Sequence, residues 1–405
     1  MTTDQDAADR ADRADGALVV YAVSVAATAT SLLRGQVGAM VAHGLRVAVV
    51  CSPGPGMAEF ARDEGVKYHP LPMTRGLLGP GDVVSFVRAV RLLRRLRPAV
   101  VNAATPKAAF VIGLAAALAR VPVRVYSLWG LRLEGERRGS WRYRLLWAAE
   151  WVTSRAATVV LCAGPELRDE AVALGIDAGR RCVVLGDGST NGVDLRYFAA
   201  PPPVRRAELR RNQDLDPETV VFGFIGRSTA DKGVEALVEA FGRMTTGRPR
   251  LLALIGPADA TDPLAPATVR AIEDDPRIRH VGFVPDLRTW LHAFDVLVLP
   301  TRREGLPNVL LEAGAAGLPA ITTTATGCRD AVDEGTTALV VPVDDAAALA
   351  RAMDRLADDA DLRGALGAAG RSLVEQRFDE TAVWAAIAEF YGRELAGMPR
   401  RAATA

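Results

Sequence analysis

The chain has few of the residues that mark secreted, metal-binding or membrane-spanning proteins. It contains four cysteines and four histidines in 405 residues, and 6% of its residues are aromatic. The cysteines form no C-x-x-C pair, which indicates reduced thiols rather than a zinc site or a disulfide framework. The longest apolar run, 108–119, is shorter than the roughly 20 residues that span a bilayer. We therefore expect a cytoplasmic protein with no membrane span and no secretion signal.

Charge is balanced overall but unevenly placed. The formal net charge of +1 argues against a nucleic-acid partner. Arginines crowd two helical stretches, 82–98 and 137–151. The first is expected to turn its arginines toward anionic lipid, and the second mixes arginine with tryptophan as interfacial helices do. This pattern predicts peripheral contact at the inner face of the membrane. In the first stretch we expect these residues to lie inside: Val83, Phe86, Val87, Val90 and Leu93.

Acidic residues that could share a metal ion cluster in two places. One is 4–6, within a polar tail (1–15) that we expect to be mobile, and the other is 359–361, on a helical surface. Neither follows a strand, so we predict no metal site and no cofactor.

Short apolar runs alternate with amphipathic stretches along the rest of the chain, as in "RVAVVC" (46–51) and "RLLALIG" (250–256). Such runs predict parallel strands covered by helices on both faces. A turn-rich segment, 185–206, interrupts the alternation. We expect two doubly wound, Rossmann-like α/β domains facing a central cleft: 16–195 for the acceptor and 196–378 for a nucleotide sugar. The last helix, 379–397, is expected to pack back on the first domain.

Two loops in the second half carry the chemistry. In "FIGRSTADKG", Gly226 permits a turn after a strand and places Arg227 and Lys232 beside a helix N-terminus, a geometry that suits a diphosphate. In "EGLPNVLLEAG", Pro307 fits the first turn of a helix that carries Glu312. A buried carboxylate there needs two donors, which a ribose diol supplies. Glu304, just before the turn, is placed to accept from sugar hydroxyls.

These motifs resemble glycosyltransferase family 4, retaining enzymes with the GT-B fold. The likeness includes "GRSTADKG", the E-x7-E spacing and "TGCRDAV", and it extends to "LRPAVVNAATPKAAF" and "GSTNGVD" of the branch that builds capsular and exopolysaccharides. It implies transfer of a hexose-type sugar from a UDP-sugar, with Arg227, Lys232 and Glu304 as catalytic residues. It also implies that the nucleobase of the donor contacts the turn near Val284. The implied nucleotide-sugar site comprises Gly226, Arg227, Lys232, Val284, Glu304, Gly305, Leu306, Pro307, Asn308, Val309 and Glu312.

The sequence departs from this family at positions where histidine is common. Asn102 and Ala104 replace histidines before "TPK", and Trp129 replaces a histidine at a strand end. None of the four histidines falls in these motifs, so we expect that no histidine acts as a general base in the reaction. Candidates for the acceptor are Arg75, Lys107, Trp129 and Arg132, three of them cationic. The acceptor would be lipid-linked (polyprenyl or another phospholipid) or a natural product.

Two other functions remain open. UDP-N-acetylglucosamine 2-epimerases share the two-domain architecture, and the lost histidines also fit a catalytically impaired, transferase-like partner protein. A dehydrogenase is disfavoured because no G-x-G-x-x-G follows a strand.

Overall fold

The computed structural model of the chain describes residues 16–73, 79–177, 179, 181–259 and 262–398. The chain divides into two compact units. The first runs to Asn191 and takes in the chain from Glu380 onward, and the second is Gly192–Asp379. The predicted tail (1–15) and Arg75, an acceptor candidate, lie outside the described residues.

The first unit is built on a seven-stranded parallel sheet. Its strand order is β3-β2-β1-β4-β5-β6-β7, so the order reverses between β1 and β4. The strands are β1 (Leu18–Ala22), β2 (Arg46–Cys51), β3 (Lys67–Pro70), β4 (Val100–Ala104), β5 (Val123–Leu128), β6 (Val159–Cys162) and β7 (Cys182–Val183). The helices are α1 (Ala26–Leu32), α2 (Gln36–Ala42), α3 (Met57–Asp63), α4 (Pro80–Leu96), α5 (Pro106–Leu118), α6 (Trp141–Ala156) and α7 (Pro165–Ala173).

The second unit repeats this plan with six parallel strands in the order β10-β9-β8-β11-β12-β13. The strands are β8 (Val220–Ile225), β9 (Arg250–Ile255), β10 (Ile278–Gly282), β11 (Val296–Leu299), β12 (Ala320–Thr323) and β13 (Ala338–Val341). The helices are α8 (Pro203–Asn212), α9 (Val234–Arg243), α10 (Pro266–Asp274), α11 (Arg288–Leu291), α12 (Asn308–Ala315), α13 (Ala346–Asp358) and α14 (Ala360–Arg377). Two doubly wound sheets are therefore confirmed. In such sheets ligands bind beyond the strand ends where the order reverses, here between β8 and β11.

The buried face of α4 differs from the predicted one. Val83 and Val87 are exposed, whereas Asp82 and Ser85 are buried. The Asp82 carboxylate accepts hydrogen bonds from the Gly79 N–H and from Lys107 Nζ, each at 2.8 Å, and Ser85 Oγ donates to a backbone carbonyl. Because these polar side chains are paired, they can turn inward and leave the valines in solvent. The prediction that Val83 and Val87 lie inside is wrong.

The last helix, α15 (Glu380–Ala396), belongs to the first unit, where it packs against α2. Its Tyr391 is fully buried, and the hydroxyl accepts a hydrogen bond from Asn102 Nδ2 at 2.7 Å. Asn102 in turn accepts from Ser127 Oγ at 2.7 Å. This buried chain of hydrogen bonds ties α15 to β4 and β5.

Replacing Tyr391 should therefore destabilise the first unit. We expect Tyr391→Ala to lower the free energy of unfolding by about 3–5 kcal/mol, because it leaves a cavity. Tyr391→Phe should cost about 1–3 kcal/mol, because the Asn102 amide loses its acceptor. Glu389→Ala, on the exposed face of the same helix, is the control. Urea unfolding followed by circular dichroism measures all three, and equal midpoints for Tyr391→Ala and Glu389→Ala would contradict this packing.

Candidate active site

The loop after β8 carries the two predicted cations. Gly226 ends the strand, and Gly233 caps α9 with a positive φ of 72°. A Cβ on Gly233 would lie 1.9 Å from the Pro300 carbonyl oxygen at the end of β11. Glycine therefore lets this loop pack directly on the neighbouring strand. Lys232, one residue earlier, is thereby held beside the loop that follows β11.

The structure brings two of the predicted site residues, Lys232 and Glu304, into direct contact. Lys232 Nζ lies 2.6 Å from Glu304 Oε1, and both side chains are mostly buried. One residue comes from the loop after β8 and the other from the loop after β11, so their contact spans the point where the strand order reverses.

Arg227 has different partners. Its guanidinium lies 2.7 Å from Asp259 and 3.8 Å from Asp231, and the side chain is 45% exposed. Asp231 also forms an ion pair with Arg303 at 2.8 Å and accepts a hydrogen bond from the Thr229 hydroxyl at 2.5 Å. Burial favours the neutral acid, but Thr229 and the neighbouring cations outweigh it and keep the pKa of Asp231 below its usual value. The loop thus holds a network in which cations alternate with acids.

Glu312 lies on α12, with the buried residues Leu311 and Ala313 on either side of it. Its side chain is half-buried yet closely surrounded by protein, and no described residue forms a hydrogen bond or an ion pair with the carboxyl group. Burial raises its pKa to about 7. A carboxyl group in such a place lacks the donors that would offset its loss of water, and a ligand with two hydroxyl groups would provide them.

The remaining predicted residues surround the start of α12. Gly305, Leu306 and Pro307 are buried, and Asn308 and Val309 form the first turn. Pro307 precedes the helix as its N-cap instead of occupying the first helical position, because its ψ of 106° is extended. Val284 follows the end of β10 and is partly exposed. Phe283 beside it is 76% exposed.

Sequence reasoning missed four residues of this site. Asp231, Asp259 and Arg303 complete the charge network around Arg227. His280 of β10 lies beside the same loop, with Nε2 3.2 Å from Ser228 Oγ. The acids and Arg303 have no motif of their own, since surface loops commonly carry such residues. His280 is 52 positions from Ser228, and only the sheet order brings the two together.

The acceptor candidates in the first unit do not form one cluster. Lys107 is buried, with its ammonium 2.8 Å from Asp82 Oδ2, and joins α4 to α5. The role of Lys107 in binding an acceptor therefore stays a prediction, and it would require the ammonium to exchange Asp82 for the acceptor phosphate. Arg132 is exposed in a short 3-10 helix, and Trp129 follows β5, partly buried.

The described residues contain neither a cluster of metal ligands nor a membrane-spanning helix. In the described ranges no three His, Cys, Asp or Glu side chains come together as metal ligands. Among the helices of the same ranges, none combines the length and apolar character needed to cross a bilayer.

Comparison with protein families identifies the class. Residues 219–359 match the model described as "Glycosyl transferases group 1", and residues 27–186 match "Glycosyl transferase 4-like domain". The chain resembles Anabaena HepE, solved in complex with UDP and glucose, with a TM-score of 0.78 and 18% identity over 93% of this chain and 100% of that one. The two sheets thus have the GT-B arrangement of a glycosyltransferase. The chain belongs to glycosyltransferase family 4.

Two curated relatives agree with this assignment. The capsular polysaccharide biosynthesis glycosyltransferase CapM of Staphylococcus aureus is 28% identical over 90% of this chain and 94% of its own length. The UDP-Gal:alpha-D-GlcNAc-diphosphoundecaprenol alpha-1,3-galactosyltransferase of Escherichia coli is 23% identical over 77% and 80%. The resemblance to the capsular branch is therefore confirmed, and the enzyme class with it.

The raised pKa of Glu312 predicts a pH-dependent effect of Glu312→Gln. Between pH 4.5 and about 7 the folded chain keeps a proton that the unfolded chain releases. Stability therefore falls as pH rises through this window, by at most about 3 kcal/mol. Glutamine carries no charge, so the stability of the variant should not fall in this window. Relative to the wild type, the variant should therefore become more stable as pH rises. We expect the free energy of unfolding of Glu312→Gln minus that of the wild type to increase between pH 4.5 and 8. Glu273→Gln, on an exposed face of α10, controls for the substitution itself, and a difference independent of pH would contradict the prediction.

Proposed function

We propose that this enzyme transfers a hexose-type sugar from a UDP-sugar to a lipid-linked or natural-product acceptor, with retention of anomeric configuration. The observation that carries the proposal is the Glu312 carboxyl group, which has no partner among the described residues and lies on the helix that begins just after the Lys232–Glu304 contact. A nucleotide sugar matches this order of groups. Its ribose diol would donate to Glu312, its diphosphate would meet the cations and the helix end, and its hexose would reach Glu304.

The names of two similar proteins support UDP as the nucleotide. The Escherichia coli relative is named for UDP-Gal and a diphosphoundecaprenol acceptor, and HepE was crystallised with UDP. The ribose-binding role of Glu312 does not distinguish one base from another. The choice of UDP rests on these names and on the turn at Val284.

In the proposed reaction, the cations stabilise the negative charge of the leaving group. As the bond between the sugar C1 and the diphosphate oxygen breaks, negative charge grows on that oxygen, and fixed positive charges stabilise it. The acceptor oxygen forms its bond to C1 on the same face, and its proton passes to the departing phosphate oxygen, giving UDP. Arg227, Lys232 and the N–H groups at the start of α12 are the groups we assign to this charge. The proposal needs no metal ion and no other cofactor.

The two other functions predict different products. A 2-epimerase would release an epimerised nucleotide sugar without any acceptor, and the family assignment disfavours it. An impaired partner protein would leave the donor intact in the presence of membranes. Release of UDP that depends on an acceptor separates the proposed transferase from both.

Removal of the two cations tests the proposal. Each charge-assisted contact is worth about 1.5–3 kcal/mol, so Arg227→Ala and Lys232→Ala together should slow transfer by at least about a hundredfold. Arg277→Ala removes an exposed Arg–Asp pair elsewhere in the unit and serves as the control. The assay measures UDP release with membranes as the acceptor source, with and without EDTA. A double variant that transfers sugar at the normal rate would refute the assigned roles, and activity abolished by EDTA would refute the absence of metal.

The exposed face of α4 supports contact with an anionic membrane. Val83, Val84 and Val87 are 65%, 50% and 39% exposed, and exposed arginines follow them along the helix. On α6, Trp141 and Leu145 are also exposed. The other two tryptophans of that stretch are not, since Trp147 and Trp151 stack on each other and Trp147 Nε1 donates to Leu174. Apolar side chains next to cations suit insertion into a lipid interface, at about 1 kcal/mol per arginine.

Replacing the three valines of α4 by serine should weaken binding to anionic vesicles. We expect at least a fivefold loss in co-sedimentation with phosphatidylglycerol vesicles, and little binding of either protein to phosphatidylcholine alone. Val269→Ser, at an exposed valine on α10 of the second unit, is the matched control. Equal binding of the triple variant and the control would contradict a membrane role for this face.

A further inference from the structure

Two ion pairs lie side by side between the loop after β8 and the loop after β11. Asp231 and Lys232 are neighbours in the first loop, and Arg303 and Glu304 are neighbours in the second. Lys232 Nζ contacts Glu304 Oε1 at 2.6 Å, and Arg303 Nη2 lies 2.8 Å from Asp231 Oδ2. The two pairs therefore have opposite sense, because each loop contributes the acid of one pair and the cation of the other.

The proposed function requires only one of these pairs to open. Lys232 and Glu304 would exchange partners, since the first is assigned to the diphosphate and the second to the hexose. No such role is assigned to Asp231 or Arg303. Asp231 is nonetheless a negative charge beside a site that would receive a diphosphate, and like charges repel. The charge of Asp231 must therefore be neutralised by a group that the donor does not use.

The main chains of the two loops are joined at the position of the second pair. The Arg302 N–H donates a hydrogen bond to the Asp231 carbonyl at 3.0 Å. The hydroxyl of Thr301, which is fully buried, donates to the Arg303 carbonyl at 3.1 Å. The side chains of Asp231 and Arg303 are 19% and 26% exposed, so their ion pair is better shielded from water than most surface pairs.

Asp231 has a second arginine within reach. Arg227 Nη2 lies 3.8 Å from Asp231 Oδ2, the same atom that Arg303 contacts at 2.8 Å. Two guanidinium groups thus share one carboxylate oxygen, and Arg303 is the nearer. Arg227 also contacts Asp259 at 2.7 Å, and its side chain is 45% exposed. Arg227 is therefore only loosely associated with Asp231 while Arg303 is in place.

The Asp231 carboxyl group stays charged in this arrangement. Burial alone would raise its pKa, but the Thr229 hydroxyl and Arg303 lower it below its ordinary value. The other cations that lower this pKa are Lys232 and Arg227. These are the two cations that the proposed function assigns to the diphosphate. If the charge of Arg303 were removed, the carboxylate would draw on them instead.

We propose that Arg303 is a positioning residue for donor binding, which neutralises Asp231 and so leaves Arg227 available to the diphosphate. Arg303 acts through Asp231 and does not touch the donor in this role. The inference rests on the proposed function, because it takes Arg227 as a ligand of the diphosphate. It predicts that substitutions at Arg303 and Asp231 compensate each other.

Arg303→Met tests this role, because it removes the charge and keeps a long side chain. The full chain is titrated with UDP by isothermal titration calorimetry. We expect the Kd for UDP to rise at least about tenfold, since Asp231 then pairs with Arg227. Adding Asp231→Asn removes the competing acid and should return the Kd to within about threefold of the wild type. Arg302→Met is the matched control at the adjacent position, where the arginine pairs with the exposed Asp344, and it should leave the Kd unchanged within about twofold.

A second comparison shows whether Arg303 acts through Arg227. In an Arg227→Ala background, Arg303→Met should change the Kd for UDP by less than about twofold, because the cation that it keeps available is gone. A further loss of affinity in that background would mean that Arg303 binds the diphosphate directly, and would overturn the proposal. Failure of Asp231→Asn to restore binding would also overturn it, because Arg303 would then serve only to hold the two loops together.

Thermal unfolding checks that each variant is folded. If Arg303→Met does not fold, Arg303→Gln replaces it, because the amide can still donate to Asp231 but carries no charge. The same loss of affinity and the same rescue by Asp231→Asn are then expected.

Failure of the proposed function would give a different result. A wild type that does not bind UDP, or an Arg227→Ala variant that binds UDP as tightly as the wild type, would contradict the donor site itself and the role of Arg303 with it. If Arg227→Ala weakens UDP but Arg303→Met binds as tightly as Arg302→Met, the donor site is supported and only the role of Arg303 is overturned.

Discussion

The central constraint in the second unit is a half-buried carboxyl group that has no hydrogen-bond or ion-pair partner among the described residues. Glu312 lies on a short helix made mainly of small and apolar residues, and burial raises its pKa to about 7. The helix packs closely on α14, since a Cβ on Gly314 would lie 2.7 Å from Val374 and 3.1 Å from the Gly370 carbonyl. The chain therefore bears a free-energy cost that a diol at this position would remove.

The charged residues in the loops that follow β8, β9 and β11 obey a second constraint, because each cation is paired with an acid. Lys232 is paired with Glu304, Arg227 with Asp259, and Arg303 with Asp231. These three cations and three acids balance, so the loops are held in place before any anion arrives. In the proposed function, a diphosphate would compete with the acids for Arg227 and Lys232. The half-exposed Arg227 is the easier of the two to recruit, because exposed ion pairs contribute little.

The sequence predicted those features that hydrophobic periodicity and glycine positions determine, namely the long strands and the loops that carry the site. The long apolar runs became strands. The motifs identified Lys232 and Glu304 as site residues, but their direct contact was not predicted. Two edge strands were missed: β3 has four residues and ends in Pro70, and β7 has two. Such strands are too short for an alternation to show. The face of α4 was misassigned because hydrogen bonding can bury Asp82 and Ser85, and polarity alone does not show this. The same limit concealed the Asp82 partner of Lys107 and the Asp259 partner of Arg227.

The most direct test is the pKa of Glu312 itself, with and without UDP. Carbon-13 NMR of the labelled carboxyl group measures it, with Glu312→Gln to assign the signal. The account predicts a pKa near 7 in the free protein, and a fall of at least about one unit when UDP saturates the site, because ribose hydroxyl donors favour the carboxylate. A pKa at the ordinary value for glutamate in the free protein, or one that UDP leaves unchanged, would contradict it.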